Sequence, residues 1–595
     1  MLSPREPEPT VASLPSADVR PTASDPVEIQ ATPPTTPAAP LAPPAAVPSS
    51  VVRRSSRVTT APSCLGYDGK QGHGYLAFDP HAMMIYLAND IPAPSAFKVN
   101  ADPDTLTYDE AMADPDRDCW LESMLVEITS LESKEAWDEV FTDDARTRIL
   151  PGTWVFRRKR NPDGMITKFK ARYCVRGDLQ EDDSPTYAPV VAWSSVRIFL
   201  VLTMTMGWYT CSIDFSNAFV QALLEEPILI HLPRGFLSGL SRLSGGARTC
   251  LRLKKSLYGT KFAPRLWYQH LFRTLVDDLG FCQSNHDSCL LTKKDMILVV
   301  FVDDAGIGSK RKEDADNLVQ QLVDRGFELT REGTFTEFLG IKFDKDESAG
   351  TITLTQQGLI QKIVDTTGMQ DCNPNWTPAS PMALGSDPDG ETMREEWLYS
   401  SIVGMLLYLS TNTRPDIAFA VSQVARFNHS PKQSHAKAVK MIVRYLFRTT
   451  DKGTIVKTTG KLELDCYVDA DFAGLYRCES DENPTSVKSR TGYIILLGGF
   501  PLVWKSQLQT EISLSTLESE YSALSQSMRT LLPLRQTLLE TAQRIALPLA
   551  LLETFACRVF EDNNGALLLA TGQRITSRTK YFLVKWHFFW SHVNR

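Results

Sequence analysis

The sequence predicts an α+β chain of several domains, and three observations carry that reading. Two basic, strand-like segments, Thr153–Lys159 and Thr167–Arg176, flank Asn161-Pro162-Asp163-Gly164, a strong turn signal, which makes them a β-hairpin. The apolar run Met296-Ile297-Leu298-Val299-Val300 leads through Phe301-Val302-Asp303-Asp304 into Ala305-Gly306-Ile307-Gly308, a buried strand followed by a tight turn. Near Gly460 the pattern changes. Strands at 462–468, 491–497 and 501–505, a helix at about 516–530 and a strand at 556–561 with a short helix after it make a second, mixed unit.

Residues 1–60 are rich in Pro, Ala, Ser and Thr with almost no aromatics, so they read as a disordered spacer, ending in Arg53-Arg54-Ser55-Ser56-Arg57. Residues 61–105 read as a poorly ordered linker. Order begins near Thr107, with a helical pattern from Tyr108 that resumes through Trp120, Met124, Ile128 and Leu131. After the basic hairpin, a helix from about Ser194 to Gly207 leads into a strand ending at Asp214. A helix at Arg265–Asp278 precedes the strands around Asp303. Further helices are expected at 312–326, Glu395–Ser410 and Gln433–Arg448. The chain therefore divides into 106–345, a mainly helical 346–458, and 459–595.

Composition narrows the function classes. The 595 residues suffice for three or four domains. A net charge of −7 gives no global basic field, so charge matters locally. Between Arg157 and Arg176 there are eight basic residues and one acidic residue, and between Arg252 and Arg265 five basic and no acidic ones. Such stretches are either solvated faces or phosphate-binding surfaces. Eleven scattered cysteines without a CxxC pair, and nine histidines away from zinc-ligand spacing, fit a reduced, intracellular chain. No apolar run approaches the roughly 20 residues that span a bilayer, so no membrane partner is expected.

The acids carry the chemistry. An Asp pair in a turn is ordinary, because Asp suits turns. At the tip of an apolar hairpin it is costly, and a divalent metal is the usual compensation. Asp214, at the end of Ser212-Ile213-Asp214, adds a carboxylate from a second strand, the minimum for two Mg²⁺ ions shared with substrate phosphates. Phe219, five residues on, is either a core aromatic or part of a pocket. In the second unit, acids end strands at 465–471 and 561–562 and open a helix at Glu518 and Glu520. Singly these are capping or exposed acids; converging, they suit a two-metal phosphodiester hydrolase.

Together these segments resemble the reverse transcriptase–ribonuclease H portion of copia-type long-terminal-repeat retrotransposon Pol polyproteins. TWVFRRKRNPDG at 153–164 with KARYCVRG at 170–177 is similar to the family's fingers hairpin, and SIDFSNAFVQALLEEPILIHLPRGF at 212–236 to its first catalytic motif. KKSLYGTKFAPRLWY at 254–268, FVDD at 301–304, EFLGIKF at 337–343 and RPDIAFAVSQVARF at 414–427 continue the match. YVDADFAG, KSRTGYIILLGG, STLESEYSAL and EDNNGAL extend it across the ribonuclease H domain.

The resemblance implies a right-hand polymerase followed by a ribonuclease H-like mixed-sheet α/β domain. Fingers and palm fall in 106–345, thumb and connection in 346–458, and the nuclease in a C-terminally truncated 459–595. It implies an RNA-directed and DNA-directed DNA polymerase working on an RNA template, a DNA primer, an RNA–DNA hybrid and dNTPs, with Mg²⁺ or Mn²⁺. Asp214, Asp303 and Asp304 would be the polymerase metal ligands and Phe219 the steric gate against ribonucleotides. Lys159, Lys170 and Arg172 would contact the triphosphate, and Tyr258 and Gly259 would floor the pocket. Asp469, Glu520 and Asp562 would be the nuclease ligands. Glu520 is preferred over Glu518 because Glu-Tyr-Ser-Ala matches that domain's helix pattern. The implied setting is cytoplasmic virus-like particles, with nuclear entry.

Three departures qualify this. Thr260 and Phe262 replace the expected Leu and Gln. Leu583, within RTKYFLVKWHFF at 578–589, stands where the family has a fourth acid. The chain also stops soon after it. These leave a second reading, a decayed element that binds nucleic acid without catalysis, and a third that keeps the nuclease alone.

Overall fold

Alternation of apolar and basic residues builds the first sheet. The computed structural model describes residues 104–142, 148–160, 166–181, 185–236, 248–457, 459–476, 483, 485–572, 580 and 589. The 1–60 spacer, most of the 61–105 linker, the Asn161–Gly164 turn and Leu583 lie outside them. Gly152–Arg160 pairs antiparallel with Ile166–Val175, and Thr105–Leu106 adds a short third strand. Because successive side chains alternate faces, Trp154, Phe156, Ala171 and Tyr173 all point inward and are buried. They pack on helix Arg117–Ser133, whose buried residues are Trp120, Met124, Ile128 and Leu131, one stripe at helical spacing.

The central sheet has six strands in the order Leu329–Thr334, Tyr209–Phe215, Asp304–Ser309, Met296–Phe301, Leu290–Lys293 and Cys282–Gln283, with every pairing antiparallel. Every residue of Met296–Phe301 is buried, which is why the run is apolar without alternation. Helices Trp193–Thr205 and Lys312–Asp324 pack on this sheet. The helix expected over Arg265–Asp278 is instead Ala263–Arg273 followed by a π-helical turn, Thr274–Asp278.

Between 346 and 458, helices Gln357–Thr366, Tyr399–Asn412, Ala418–Ala425 and Gln433–Arg448 share a core of their own. The segment also supplies strands Thr351–Thr355 and Thr454–Lys457, which pair with each other in a four-stranded sheet. The helix expected from Glu395 begins at Tyr399.

The last sheet orders its strands Phe500–Leu508, Arg490–Leu497, Glu463–Asp471 and Ala556–Phe560. The first three are antiparallel and the fourth lies parallel to Glu463–Asp471. Helix Thr516–Arg544 covers it and runs fourteen residues past the expected end, through Pro533, because Leu534, Leu538 and Ala542 still reach the core. One continuous apolar core joins this sheet to the central one. Among the described residues every cysteine is a free thiol, and no helix is long and apolar enough to cross a membrane.

Candidate active sites

The first cluster of acids sits at one end of the central sheet. Asp214 on Tyr209–Phe215 stands directly opposite Asp304, and Phe301 pairs with Asp304 across a two-residue turn of Val302 and Asp303. Two-residue hairpin turns need positive φ at the first central position, where glycine is usual. Here it is Val302, at φ 50°, a strained state for a β-branched side chain. Two hydrogen bonds hold the turn. The Trp267 indole N–H donates to the Val302 carbonyl at 2.6 Å, and the Phe215 N–H donates to the Asp303 carbonyl at 2.8 Å.

The turn buries the Asp303 carboxyl. Its Oδ1 has no hydrogen-bond partner. Burial pushes its pKa up to about 6, with Arg172 pulling down and Asp214 pushing further up. Arg172 is itself buried, its guanidinium 4.4 Å from the centre of the Tyr258 ring. The Tyr258 ring meets Phe219 edge-on at 5.1 Å. Arg172, Tyr258 and Phe219 thus form one connected wall, and the charge of Arg172 reaches Asp303. Glu127, on helix Arg117–Ser133, adds to it: burial raises its pKa, opposed by Arg172, and its Oε1 lacks a partner. Sequence reading missed Glu127, because a single Glu on an amphipathic helix carries no signal of what it faces.

The basic hairpin presents one charged face. The register sets Arg157 opposite Lys170, Lys159 opposite Lys168, and Val155 opposite Arg172, so five cations share the face that Trp154 and Phe156 do not. The charge of Lys170 also reaches Asp303, whereas Lys159 lies further along the hairpin. Gly259 packs against the hairpin itself. It has φ +86°, and a Cβ there would come within 2.2 Å of the Val175 carbonyl oxygen. Thr260 and Phe262 are both buried, the former donating to the Leu257 carbonyl at 2.9 Å.

The second cluster is tighter. Asp469 near the end of Glu463–Asp471, Glu520 in the first turns of Thr516–Arg544, and Asp562 just after Ala556–Phe560 bring their ligand oxygens within 4.8 Å of one another. Among the described residues they are the acids drawn together this closely; Asp214, Asp303 and Asp304 are not. Glu518 is occupied elsewhere, accepting from the Leu514 N–H at 2.8 Å as part of the helix start. Glu520 is only 8% exposed and its Oε2 has no partner. Burial raises its pKa to about 7, helped by Glu561, Asp469 and Asp562. An orphaned buried carboxylate oxygen among acids is the donor set a hard divalent cation takes.

Residues 134–381 match the reverse transcriptase (RNA-dependent DNA polymerase) family. The chain is 30% identical, over 80% of its length, to 31% of the retrovirus-related Pol polyprotein from transposon RE1 of Arabidopsis thaliana. It is 29% identical, over 83% of its length, to 36% of the Pol polyprotein from transposon TNT 1-94 of Nicotiana tabacum. It is also 32% identical, over 39% of its length, to 90% of an uncharacterized mitochondrial protein of Arabidopsis thaliana. The chain spans about a third of the length of the two Pol polyproteins.

Proposed function

We propose that the chain, which matches the reverse transcriptase family over residues 134–381 and is similar over most of its length to retrotransposon Pol polyproteins, is a copia-type RNA-directed and DNA-directed DNA polymerase with a ribonuclease H domain at 459–595. Its substrates would be dNTPs on an RNA template and DNA primer, and it would act in cytoplasmic virus-like particles. In this reading 106–345 forms fingers and palm and 346–458 thumb and connection.

One observation carries the polymerase reading. Asp303 and Asp304 lie on a strained turn with Asp214 directly opposite Asp304, and the Asp303 Oδ1 is buried without a partner within reach of the charge of the buried Arg172. Asp214 and Asp303, with Asp304, would hold Mg²⁺. Bound there, Mg²⁺ would supply activation of the primer hydroxyl and charge neutralisation at the leaving pyrophosphate. Asp303 must be ionised to serve, and Arg172 and Lys170 favour that form. The cationic hairpin face, with Lys159 and Lys170, suits the triphosphate, since cations pair with phosphate oxygens. Tyr258 backs Phe219 edge-on and fixes its ring, so the ring can exclude a 2′-hydroxyl sterically.

Primer extension on an RNA template with Mg²⁺ tests this. The wild-type chain extends, and Asp303→Asn loses at least about a thousandfold in rate, the scale of removing a metal ligand from two-metal chemistry. Extension by Asp303→Asn at the wild-type rate would reject the assignment. Salt-sensitive nucleic-acid binding with no incorporation would favour the decayed-element reading instead.

The nuclease reading rests on the Asp469–Glu520–Asp562 triad. These residues would hold the metal pair that activates water against the RNA phosphate of a hybrid.

A further inference from the structure

We propose that the seam between the mainly helical segment 346–458 and the C-terminal sheet binds a small amphipathic anion, an apolar body bearing one carboxylate or phosphate, with Arg490 as its anchor. A cavity of about 580 Å³ lies there, within the size range of small-molecule sites. Residues 378–384 and helices Ala418–Ala425 and Gln433–Arg448 form one side of it. The ends of strands Glu463–Asp471, Arg490–Leu497 and Phe500–Leu508 form the other. Met382, Leu384, Phe419, Met441, Leu475 and Leu508 give it apolar walls. Arg490 lines the same space and is only 6% exposed. The site is independent of the polymerase and nuclease readings.

The Arg490 guanidinium is partly hydrogen-bonded and not neutralised. Its Nη1 donates to the Ser422 Oγ at 2.7 Å and the Ser506 Oγ at 3.3 Å, while Nη2 is buried with no partner. Asp471 stands opposite Arg490 across the strands and attracts it without forming an ion pair, and Arg426 adds a second positive charge nearby. Burial pushes the Arg490 pKa down to about 10, so the group stays charged at neutral pH. A water could accept from Nη2, but only an anion offsets a buried charge. Lys437 and Lys488 line the cavity as well, which sets three cations against the single acid Asp471. A free guanidinium N–H bonds carboxylate and phosphate oxygens alike. The apolar walls suit the rest of the ligand.

The test uses the full chain with 4-benzoylbenzoate, an aromatic carboxylate whose ketone, on irradiation, bonds to neighbouring C–H groups, those of methionine above all. Mass spectrometry of the digested chain then reads occupancy residue by residue. Adducts are expected on Met382 and Met441, half-maximal at a concentration at least about tenfold below that needed with the uncharged methyl ester. 4-Benzoylphenyl phosphate separates the two headgroups: whichever anion labels at the lower concentration names the head. In Arg490→Gln both anions need about tenfold more while the ester is unchanged, which reads the charge and not the fold. If ester labelling also falls, the packing is disturbed, and Lys437→Gln combined with Lys488→Gln decides instead. That pair lowers the preference for anions over the ester about fivefold, and an unchanged preference in it overturns the site. Equal labelling by anion and ester in the wild-type chain overturns it too, as does absence of adducts on both methionines. Wild-type labelling of Arg490→Gln by both anions overturns the role of Arg490.

Discussion

Asp303 is held where its own charge is unwelcome, and that has a measurable sign. An unfolded Asp titrates near 3.9, whereas burial raises Asp303 to about 6 in the folded chain. Between those values the folded state binds more protons, so stability falls as pH rises through the window and the full penalty applies above it. Two pKa units correspond to roughly 3 kcal/mol, and partial exposure of the residue reduces this to on the order of 2 kcal/mol. Asp303→Asn should therefore melt higher than the parent at pH 7.5 in EDTA, by about 1–3 °C. The advantage should vanish near pH 4 and shrink when Mg²⁺ is added. Equal melting temperatures at pH 7.5 would show that the carboxyl is not buried at a cost. The same substitution that stabilises the chain would end its chemistry, the exchange expected at a site kept unfavourable for function. At this scale the sequence was informative where an acid stood in a motif, as Asp214, Asp303 and Asp304 do. It was silent on Glu127 and on the burial of Arg172, which depend on which helix packs under which hairpin.

Elements meet through backbone as well as side chains, and Gly259 is where that is clearest. The strand carrying Val175 donates its N–H to the Tyr258 carbonyl at 2.8 Å, and the Gly177 N–H donates to the Gly259 carbonyl at 3.1 Å. No Cβ fits between these backbones. Gly259→Ala must then push the basic hairpin away from the turn that holds Tyr258. Gly280 is a fair control, since it also has positive φ, +69°, but nothing within 4 Å of its missing Cβ. Gly280→Ala should cost about 1 kcal/mol in urea unfolding from the backbone conformation alone. Gly259→Ala should cost at least about 3 kcal/mol, adding a backbone collision. Similar losses in the two variants would mean the close approach is not real. Element types were legible because periodicity is local: the apolar run at 296–300 and the helical stripe from Trp120 to Leu131 needed no partner to be seen. Ends were less so. Helix Thr516–Arg544 passes Pro533 because the sheet beneath it rewards three more turns, and no local propensity records that.

At the scale of the whole molecule the change of pattern near Gly460 marks a new sheet and yet no break in the core. Arg197 shows how the parts are joined. It lies 2% exposed on helix Trp193–Thr205, between the central sheet and the C-terminal one. Its Nη1 donates to the Leu502 carbonyl at 2.5 Å, and its Nη2 to the carbonyls of Thr411 and Asn412 at 2.7 and 2.8 Å. Thr411 and Asn412 end helix Tyr399–Asn412, where carbonyls lack helical partners and the dipole favours a cation. The guanidinium also lies 4.3 Å from the centre of the Trp504 ring, and the Trp504 indole N–H donates to Ser410 at 2.7 Å. One side chain thus ties its own helix to two segments that lie 214 and 305 residues further along the sequence, which is why no motif announced it. Calorimetry of the wild-type chain should show the central and C-terminal regions unfolding in one transition. Arg197→Met keeps the length and apolar stem but removes every donor, leaving three buried carbonyls short of a partner. Each lost bond to a charged donor is worth about 1.5–3 kcal/mol, offset in part because the buried charge is also gone. A net loss of roughly 2–4 kcal/mol placed at one seam should split the transition in two, with the C-terminal sheet melting first. A single transition at the parental temperature would mean that the continuous apolar core couples the two sheets without Arg197.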